Sequence, residues 1–465
     1  MLKLKNMIIS KDILQQFDVP GPRYTSYPTA DRFVEAYGED QYLHSLQERL
    51  SSARSMASPL SMYVHLPFCA SLCYYCACNK IITSNYQKAI DYLDDLQREV
   101  ELLLPHLGRE QMVSQIHLGG GTPTFYKDKE LQQLVNFLKS AFQWQTGGEF
   151  AIEVDPRTID DERLHSLWSM GFNRLSLGVQ DFDPHVQQAV HRIQTVDQVN
   201  GLMQTARSIG FGSINLDLIY GLPFQTPASW LRTLKTVLQL RPDRLAIYAY
   251  AHLPERFKPQ RHIDAASLPT YSHKTHMLEM ALQFMQDAGY VYIGMDHFAL
   301  PQDSLSVAKR QGRLHRNFQG YSTQSGSDLI GLGVSAIGSM GSSYVQNTKS
   351  LDEYSDLLQH GKLPVDKGIG LTRDDLVRRS IIMALMCQGR VELADIEQSH
   401  MLDFGTYFAR EMALLKGFVE QGLVKLDVHV IEVTALGWYV VRAVAMVFDK
   451  YAHADGQRAH FSKIL

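Results

Sequence analysis

Four cysteines crowd one short stretch of the chain: Cys69, Cys73, Cys76 and Cys78, within YVHLPFCASLCYYCACNK at residues 63–80. Three are spaced C-x3-C-x2-C, and the fourth follows two residues later. Three thiolates on one loop can hold three irons of a [4Fe–4S] cube and leave the fourth iron without a protein ligand. That open iron is a place where a substrate can bind. A structural zinc site is the alternative, but zinc favours two separated Cys or Cys/His pairs that close a tetrahedron, and no second pair follows this loop. A disulfide framework fits worse, since Cys387 would remain as an odd fifth cysteine and a chain of 465 residues needs no such staples.

Other residues could serve the same chemistry. Gly119-Gly120-Gly121-Thr122-Pro123 would let backbone N–H groups approach a ligand without side-chain obstruction, although a tight turn would read the same way. Glu153, followed by Asp155-Pro156-Arg157, and Asp217 are carboxylates in apolar surroundings, suited to accept hydrogen bonds from an amino group or ribose hydroxyls, or else to cap local structure. The chain has 18 histidines, so any one of them is weak evidence for catalysis; His65, inside an apolar run, reads as packed. Arg23 and Arg316 each stand in a non-helical, aromatic-flanked segment. Arginine suits bidentate recognition of a carboxylate, with surface ion pairing as the default alternative.

Short β-branched and aromatic runs alternating with helical segments must position these residues. Six strands are predicted: 61–66, 113–118, 149–154, 173–178, 213–221 and 243–250. Ile90, Leu93, Leu96, Val100 and Leu103 recur at helical spacing, Thr195 with Gln198 forms a capping-box pattern, and Thr226 stands before a first-turn proline. The alternation predicts a parallel sheet with right-handed crossovers, as an open sheet or a partial barrel. The cysteine loop, the glycines, Glu153, Gln180, Asp217 and His252 then all fall near the C-terminal ends of strands, where active sites of parallel α/β folds form. Later, a helix at 273–289, a short strand at 291–294, a helix opening at Thr372 with Leu376, Ile381, Ile382 and Leu385 as core, a strand pair within 423–433 and a final helix are expected. Val19 to Phe33 has prolines at 20, 22 and 28, spaced so that no helix can run through it.

Composition sets the class. The chain is 45% hydrophobic with a formal net charge of −4, ordinary for a globular protein and against a general nucleic-acid binder, since no basic stripe stands out. The basic start is followed by an apolar run cut short by Lys11 and Asp12, too short for a signal-peptide core, and the apolar stretch 433–448 is interrupted by Arg442. A cytoplasmic location is expected, in keeping with unpaired thiols and an oxygen-labile cluster.

The cysteine loop resembles that of the radical S-adenosylmethionine (SAM) superfamily. With it, GPRYTSYPTA (21–30), GGGTPT (119–124), EVDPR (153–157), NRLSLGVQDF (173–182), DLIYGLP (217–223), MDHFA (295–299), HRNFQGY (315–321) and TRDDLVRR (372–379) resemble the oxygen-independent coproporphyrinogen III oxidases, from about Val19 onward. The resemblance implies an α/β fold: a radical SAM partial (β/α)6 barrel with an N-terminal arm and a mostly helical C-terminal domain, bounded at 1–57, 58–365 and 366–465. It implies a [4Fe–4S] cluster on Cys69, Cys73 and Cys76, with the amino and carboxylate groups of SAM on the open iron. One SAM would contact Tyr63, Gly120, Glu153 and Ile337. A second would meet Tyr75, Gly121, Thr122, Gln180, Arg192, Asp217 and Ala251. Arg23, Arg316 and Cys78 are candidate substrate contacts.

The implied reaction converts coproporphyrinogen III to protoporphyrinogen IX, two propionates becoming vinyls in haem biosynthesis, with two SAM per product. The reduced cluster splits SAM into methionine and a 5′-deoxyadenosyl radical, which takes a hydrogen from the propionate β-carbon; CO2 leaves and an acceptor takes the remaining electron. No acid–base dyad is required, and the protein's work is positioning and exclusion of water and oxygen. An electron donor such as flavodoxin or ferredoxin is implied, with no nucleic-acid or membrane partner and a monomeric chain. Haem-binding chaperones and haem-modifying enzymes of the same superfamily are the alternatives. The chaperones typically lack the extra cysteine and the PRYTSYP arm, both present here as Cys78 and residues 22–28.

Overall fold

The computed structural model describes residues 13, 16, 17, 19–52, 57–107, 111–324, 326–454, 461, 463 and 464. The N-terminal apolar run broken by Lys11 and Asp12 lies outside them. The chain parts into two compact units. A sheet unit comprises Phe33–Ala281 and Gly326–Gly370; a helical unit comprises the residues up to Arg32, Leu282–Ser325 and Leu371–Leu465.

In the sheet unit the six expected strands are present as β1 (Leu60–Leu66), β2 (Met112–Gly120), β3 (Gln143–Val154), β4 (Arg174–Gln180), β5 (Ser213–Tyr220) and β6 (Arg244–Ala249). Each pairs in parallel with the next. Parallel neighbours require crossovers. Helices supply them: α1 (Gln87–Leu107), α2 (Asp128–Ala141), α3 (Asp161–Met170), α4 (Val196–Ile209) and α5 (Pro227–Leu240). Six parallel strands joined by five helices in one open sheet make the partial (β/α)6 barrel that the resemblance implies.

The sequence reading left out the other side of β1. There β7 (Leu329–Leu332) pairs with β1 in parallel, and β8 (Ile337–Met340), β9 (Ser343–Asn347) and β10 (Val365–Gly370) extend the sheet antiparallel. Four- to six-residue strands broken by glycines carry too little alternation to be read.

Caps explain where the helices begin. Thr226 and Ser229 form a reciprocal box ahead of Pro227. Thr195 accepts from the Gln198 N–H, but the Gln198 side chain donates to the Pro156 carbonyl at 2.7 Å and does not return to the cap. On α1, Leu96, Val100 and Leu103 are buried as expected, whereas Ile90 and Leu93 are half-buried. Tyr92, Asp95 and Glu99 share the buried face. Glu99 accepts from Tyr354 Oη (2.6 Å), Asn347 Nδ2 (2.6 Å) and the Gly333 N–H (2.7 Å), which ties α1 to the segments after β7 and β9.

The helical unit is built on the helix Arg373–Gln388, opened by a Thr372/Asp375 capping box; Ile381, Ile382 and Leu385 are buried and Leu376 is half-buried. The strand pair is Val424–Leu426 with Val430–Val433, and Arg390–Glu392 adds a third strand. The final helix is broken into Gly437–Val440, Val441–Met446 and Lys450–Ala454. The proline-rich arm carries no α-helix and only one 3-10 turn, Ala30–Arg32, beyond its last proline, and its aromatic residues belong to this unit's core: Tyr24 and Tyr27 are fully buried with Ile381, Leu385 and Phe448. Arg442, 5% exposed, donates to the carbonyls of Pro22 (2.9 Å), Gly21 and Lys463 (2.7 Å), and Tyr24 Oη donates to Asp449 at 2.9 Å. Among the described residues no helix is long and apolar enough to cross a membrane.

Candidate active site

Strand register assembles the site in the sheet unit. His65 and Leu66 of β1 lie opposite Gly119 and Gly120 of β2, Glu153 opposite Ser176, and Gly178 opposite Asp217. A cavity of about 730 Å3, its mouth included, opens at this edge. Its wall contains Cys69, Cys73, Cys76, Cys78, Tyr75, Gly120, Gly121, Thr122, Glu153, Gln180, Arg192 and Asp217, so most of the residues singled out in the sequence meet there. Tyr63, Ile337 and Ala251 are not on that wall. Tyr63 stacks on His117 at 5.9 Å, and the Ala251 carbonyl accepts from Gln260. Arg23 and Arg316 are in the helical unit, where Arg23 pairs with Asp296 and buried Arg316 donates through Nε to the Arg23 carbonyl at 3.2 Å.

The glycines act differently from expectation. The N–H groups of Gly121 and Thr122 are committed to the carbonyls of Leu66 (2.9 Å) and Phe68 (3.0 Å), and that of Gly120 to Glu153 Oε2 (3.2 Å). Gly120 has φ +111°, and a Cβ there would sit 2.6 Å from the His65 ring; one on Gly121 would sit 2.5 Å from the Pro67 carbonyl. Glycine is therefore required for loop-to-loop approach, and what it offers a ligand is a wall free of side chains. Gln180 holds a left-handed φ of +69°, a strained conformation that ends β4 at the cavity.

The thiols share this environment. Thr122 Oγ1 donates to Cys69 Sγ at 3.3 Å. Burial nonetheless pushes the Cys69 thiol up to about 11. Cys76 is pushed down to about 6, first by a hydrogen bond from Cys78, with the Lys80 charge assisting against burial. Cys78, which is exposed, is correspondingly raised by that same hydrogen bond. No three His, Cys, Asp or Glu side chains among the described residues converge on a single-ion site. A cube with one thiolate per iron does not need such convergence, and three cysteines on one wall beside an open cavity fit it.

The carboxylates divide. Glu153, whose side chain is 41% exposed at the cavity, is only partly desolvated, and the His117 ring at 3.0 Å and the Gly120 N–H hold its carboxyl below the usual range. Asp217 is pushed up to about 6 by burial and then by the Glu153 charge, while Ser176 and Asn215 each donate to it at 2.9 Å. One carboxylate is thus ionised and the other poised nearer neutrality, which suits hydrogen bonding to an amino group and to hydroxyls.

Sequence reasoning missed His117, Ser176 and the roles of Asp155 and Arg157. The run EVDPR stood at the active edge and was the available signal; His117 had none, being one histidine among 18.

Comparison with known proteins follows the same lines. The Radical SAM superfamily model matches residues 63–237 and the HemN C-terminal domain model matches 371–440. The chain is 46% identical to the oxygen-independent coproporphyrinogen III oxidase of Pseudomonas aeruginosa, over 98% of each chain, and 46% identical to that of Escherichia coli, over 97% and 98%. A solved structure of the Escherichia coli coproporphyrinogen III oxidase, described as a radical SAM enzyme, superposes with a TM-score of 0.90 at 45% identity, covering 96% of this chain and all of that one. With the cysteine loop, the parallel strands and the helical unit all matched, the chain belongs to the oxygen-independent coproporphyrinogen III oxidase family of the radical SAM superfamily.

Proposed function

We propose that the chain catalyses the oxidative decarboxylation of two propionate side chains of coproporphyrinogen III to vinyl groups, giving protoporphyrinogen IX. The observation that carries this reading is one cavity wall that joins the C-x3-C-x2-C thiols to Glu153, Arg192 and Asp217, in a chain 46% identical to named oxidases over nearly its full length. A [4Fe–4S] cluster and SAM supply one-electron cleavage and a carbon radical when bound.

The chain's own residues bind and orient. Cys69, Cys73 and Cys76 are assigned as iron ligands. Tyr63, Gly120, Glu153 and Ile337 are assigned to one SAM, and Tyr75, Gly121, Thr122, Gln180, Arg192, Asp217 and Ala251 to a second. Ionised Glu153, fixed by His117, is the acceptor for an amino group or ribose hydroxyls. Arg192 meets a carboxylate as a charge-assisted donor. Arg23, Arg316 and Cys78 are assigned to the substrate, whose four propionates call for local cations on a chain of net charge −4. A flavodoxin or ferredoxin is the proposed electron donor, and the working form a cytoplasmic monomer.

Anaerobic incubation of reconstituted protein with coproporphyrinogen III, SAM and a reductant should give protoporphyrinogen IX and 5′-deoxyadenosine. Stable haem or porphyrin binding without decarboxylation would favour the chaperone alternative and overturn the assignment.

A further inference from the structure

Two guanidinium groups meet one cysteine sulfur. Arg157 Nη2 stands 3.6 Å from Cys73 Sγ and Arg192 Nη1 stands 3.5 Å from it. A single carboxylate holds both: Asp155 accepts from Arg157 Nε at 3.0 Å and Nη2 at 2.7 Å, and from Arg192 Nη1 at 3.1 Å. Asp155 is fixed in turn, because it caps the turn Pro156–Thr158 by accepting the Arg157 N–H at 3.0 Å. Burial opposes its ionisation, but the hydrogen bonds and charges of the two arginines hold its carboxyl below the usual range. The trio therefore carries one net positive charge against Cys73, with the Asp155 and Arg192 side chains only 7% and 8% exposed. Charges so placed act through a low effective dielectric.

Arg192 has a role in the SAM set, and its Nε and Nη2 are taken up by the Gly178 carbonyl. Arg157 has none, yet its side chain lines the same cavity. Its remaining nitrogen, Nη1, reaches the His191 carbonyl at 3.4 Å. That contact orients the fork toward the sulfur.

We propose that Arg157, aimed by Asp155, tunes the cluster carried on Cys73 by donating to its sulfur and placing a cation beside it. This rests on the cluster reading given above. Reduction adds one electron to the cluster, so a nearby cation and an N–H donor to the ligating sulfur favour the reduced form. Arg157 makes the cluster easier to reduce, by whatever donor supplies the electron.

The test is a potentiometric titration of anaerobically reconstituted protein without SAM, mediated with dithionite and followed by the EPR signal of the reduced cluster. Iron and sulfide are assayed first. At the wild-type midpoint, Arg157→Gln should show a reduced-to-oxidised ratio lower by about tenfold, a shift of about 59 mV to more negative potential for one electron. Arg157→Lys, which keeps the charge but loses the fork, should fall between. Wild-type protein that takes up no cluster would overturn the functional reading and this inference together. An unchanged midpoint in Arg157→Gln with full iron would overturn the inference alone, and so would loss of iron in both variants, which would make Arg157 a folding element.

Discussion

Arg442 in the helical unit and Arg192 in the sheet unit are buried to a similar degree, 5% and 7% exposed, and they are used in opposite ways. Arg442 directs its nitrogens to backbone carbonyls at Gly21, Pro22 and Lys463, and so fastens the N-terminal arm and the chain's end to the helical core. Arg192 gives two nitrogens to one carbonyl, but its third turns to Asp155 and the Cys73 sulfur on a cavity wall. Burial of an arginine therefore does not mark a functional site. The destination of its last donor does: an internal carbonyl means architecture, and an open wall lined by thiols means ligand chemistry.

The sharpest break of this contrast lies on the thiol side. Cys73→Ser should lose the cluster and all SAM cleavage, measured as iron content and 5′-deoxyadenosine, while the protein stays folded; full iron and activity would remove the cavity from its role. The matching break in the other unit is Arg442→Ala, which strands three carbonyls and should cost on the order of 3 kcal/mol. Calorimetry should show a lower melting temperature with cluster content kept in the folded fraction. Stability equal to wild type would mean that the arm is held by its aromatic residues alone.

A third test asks whether the sheet unit also has a buried ionisable group used purely for architecture. Glu99 is that candidate, pushed from its ordinary 4.5 up to about 7 by burial despite three donors. Because its folded value is the higher one, the native state keeps a proton that the unfolded chain releases as pH rises from about 4.5. The stabilisation is complete below that point and is lost by the time pH passes 7, at about 1.4 kcal/mol per unit or on the order of 3 kcal/mol in all. Melting temperature should fall between pH 5 and pH 8 in wild type and be flatter in Glu99→Gln; equal slopes would exonerate Glu99. The smallest expected effect belongs to Arg23, whose side chain is 36% exposed and paired with Asp296. Arg23→Ala should weaken coproporphyrinogen III binding roughly tenfold, about 1.4 kcal/mol, with SAM affinity unchanged. Unchanged substrate affinity with a large fall in melting temperature would place Arg23 with Arg442.

What could be read from the sequence was whatever local pattern encodes. Six strands announced themselves by β-branched runs, Thr226 by the proline that follows it, and the cysteine loop by spacing. Placing the polar residues at strand ends brings Cys69, Glu153 and Asp217 to one edge, where the cavity lies. The rest depends on partners far along the chain. Nothing near Arg442 says that it grips a segment 420 residues away, and nothing near Asp155 says that it braces Arg192, which lies in the loop before α4. The glycine run was located correctly, but its cause lay in the His65 ring and the Pro67 carbonyl, which only packing reveals.

The division of the helical unit into three separated stretches bears on how the chain is made. Tyr24 and Tyr27 leave the ribosome well before their partners, Ile381, Leu385, Phe448 and Asp449. At about 5–20 residues per second, roughly 350 residues of intervening synthesis leave these tyrosines waiting for some 20–70 s, while the sheet unit can already be folding. An apolar arm exposed for that long is a target for chaperones and proteases. Any change that slows translation or release late in the chain should therefore show first as loss of protein, before it shows as loss of chemistry.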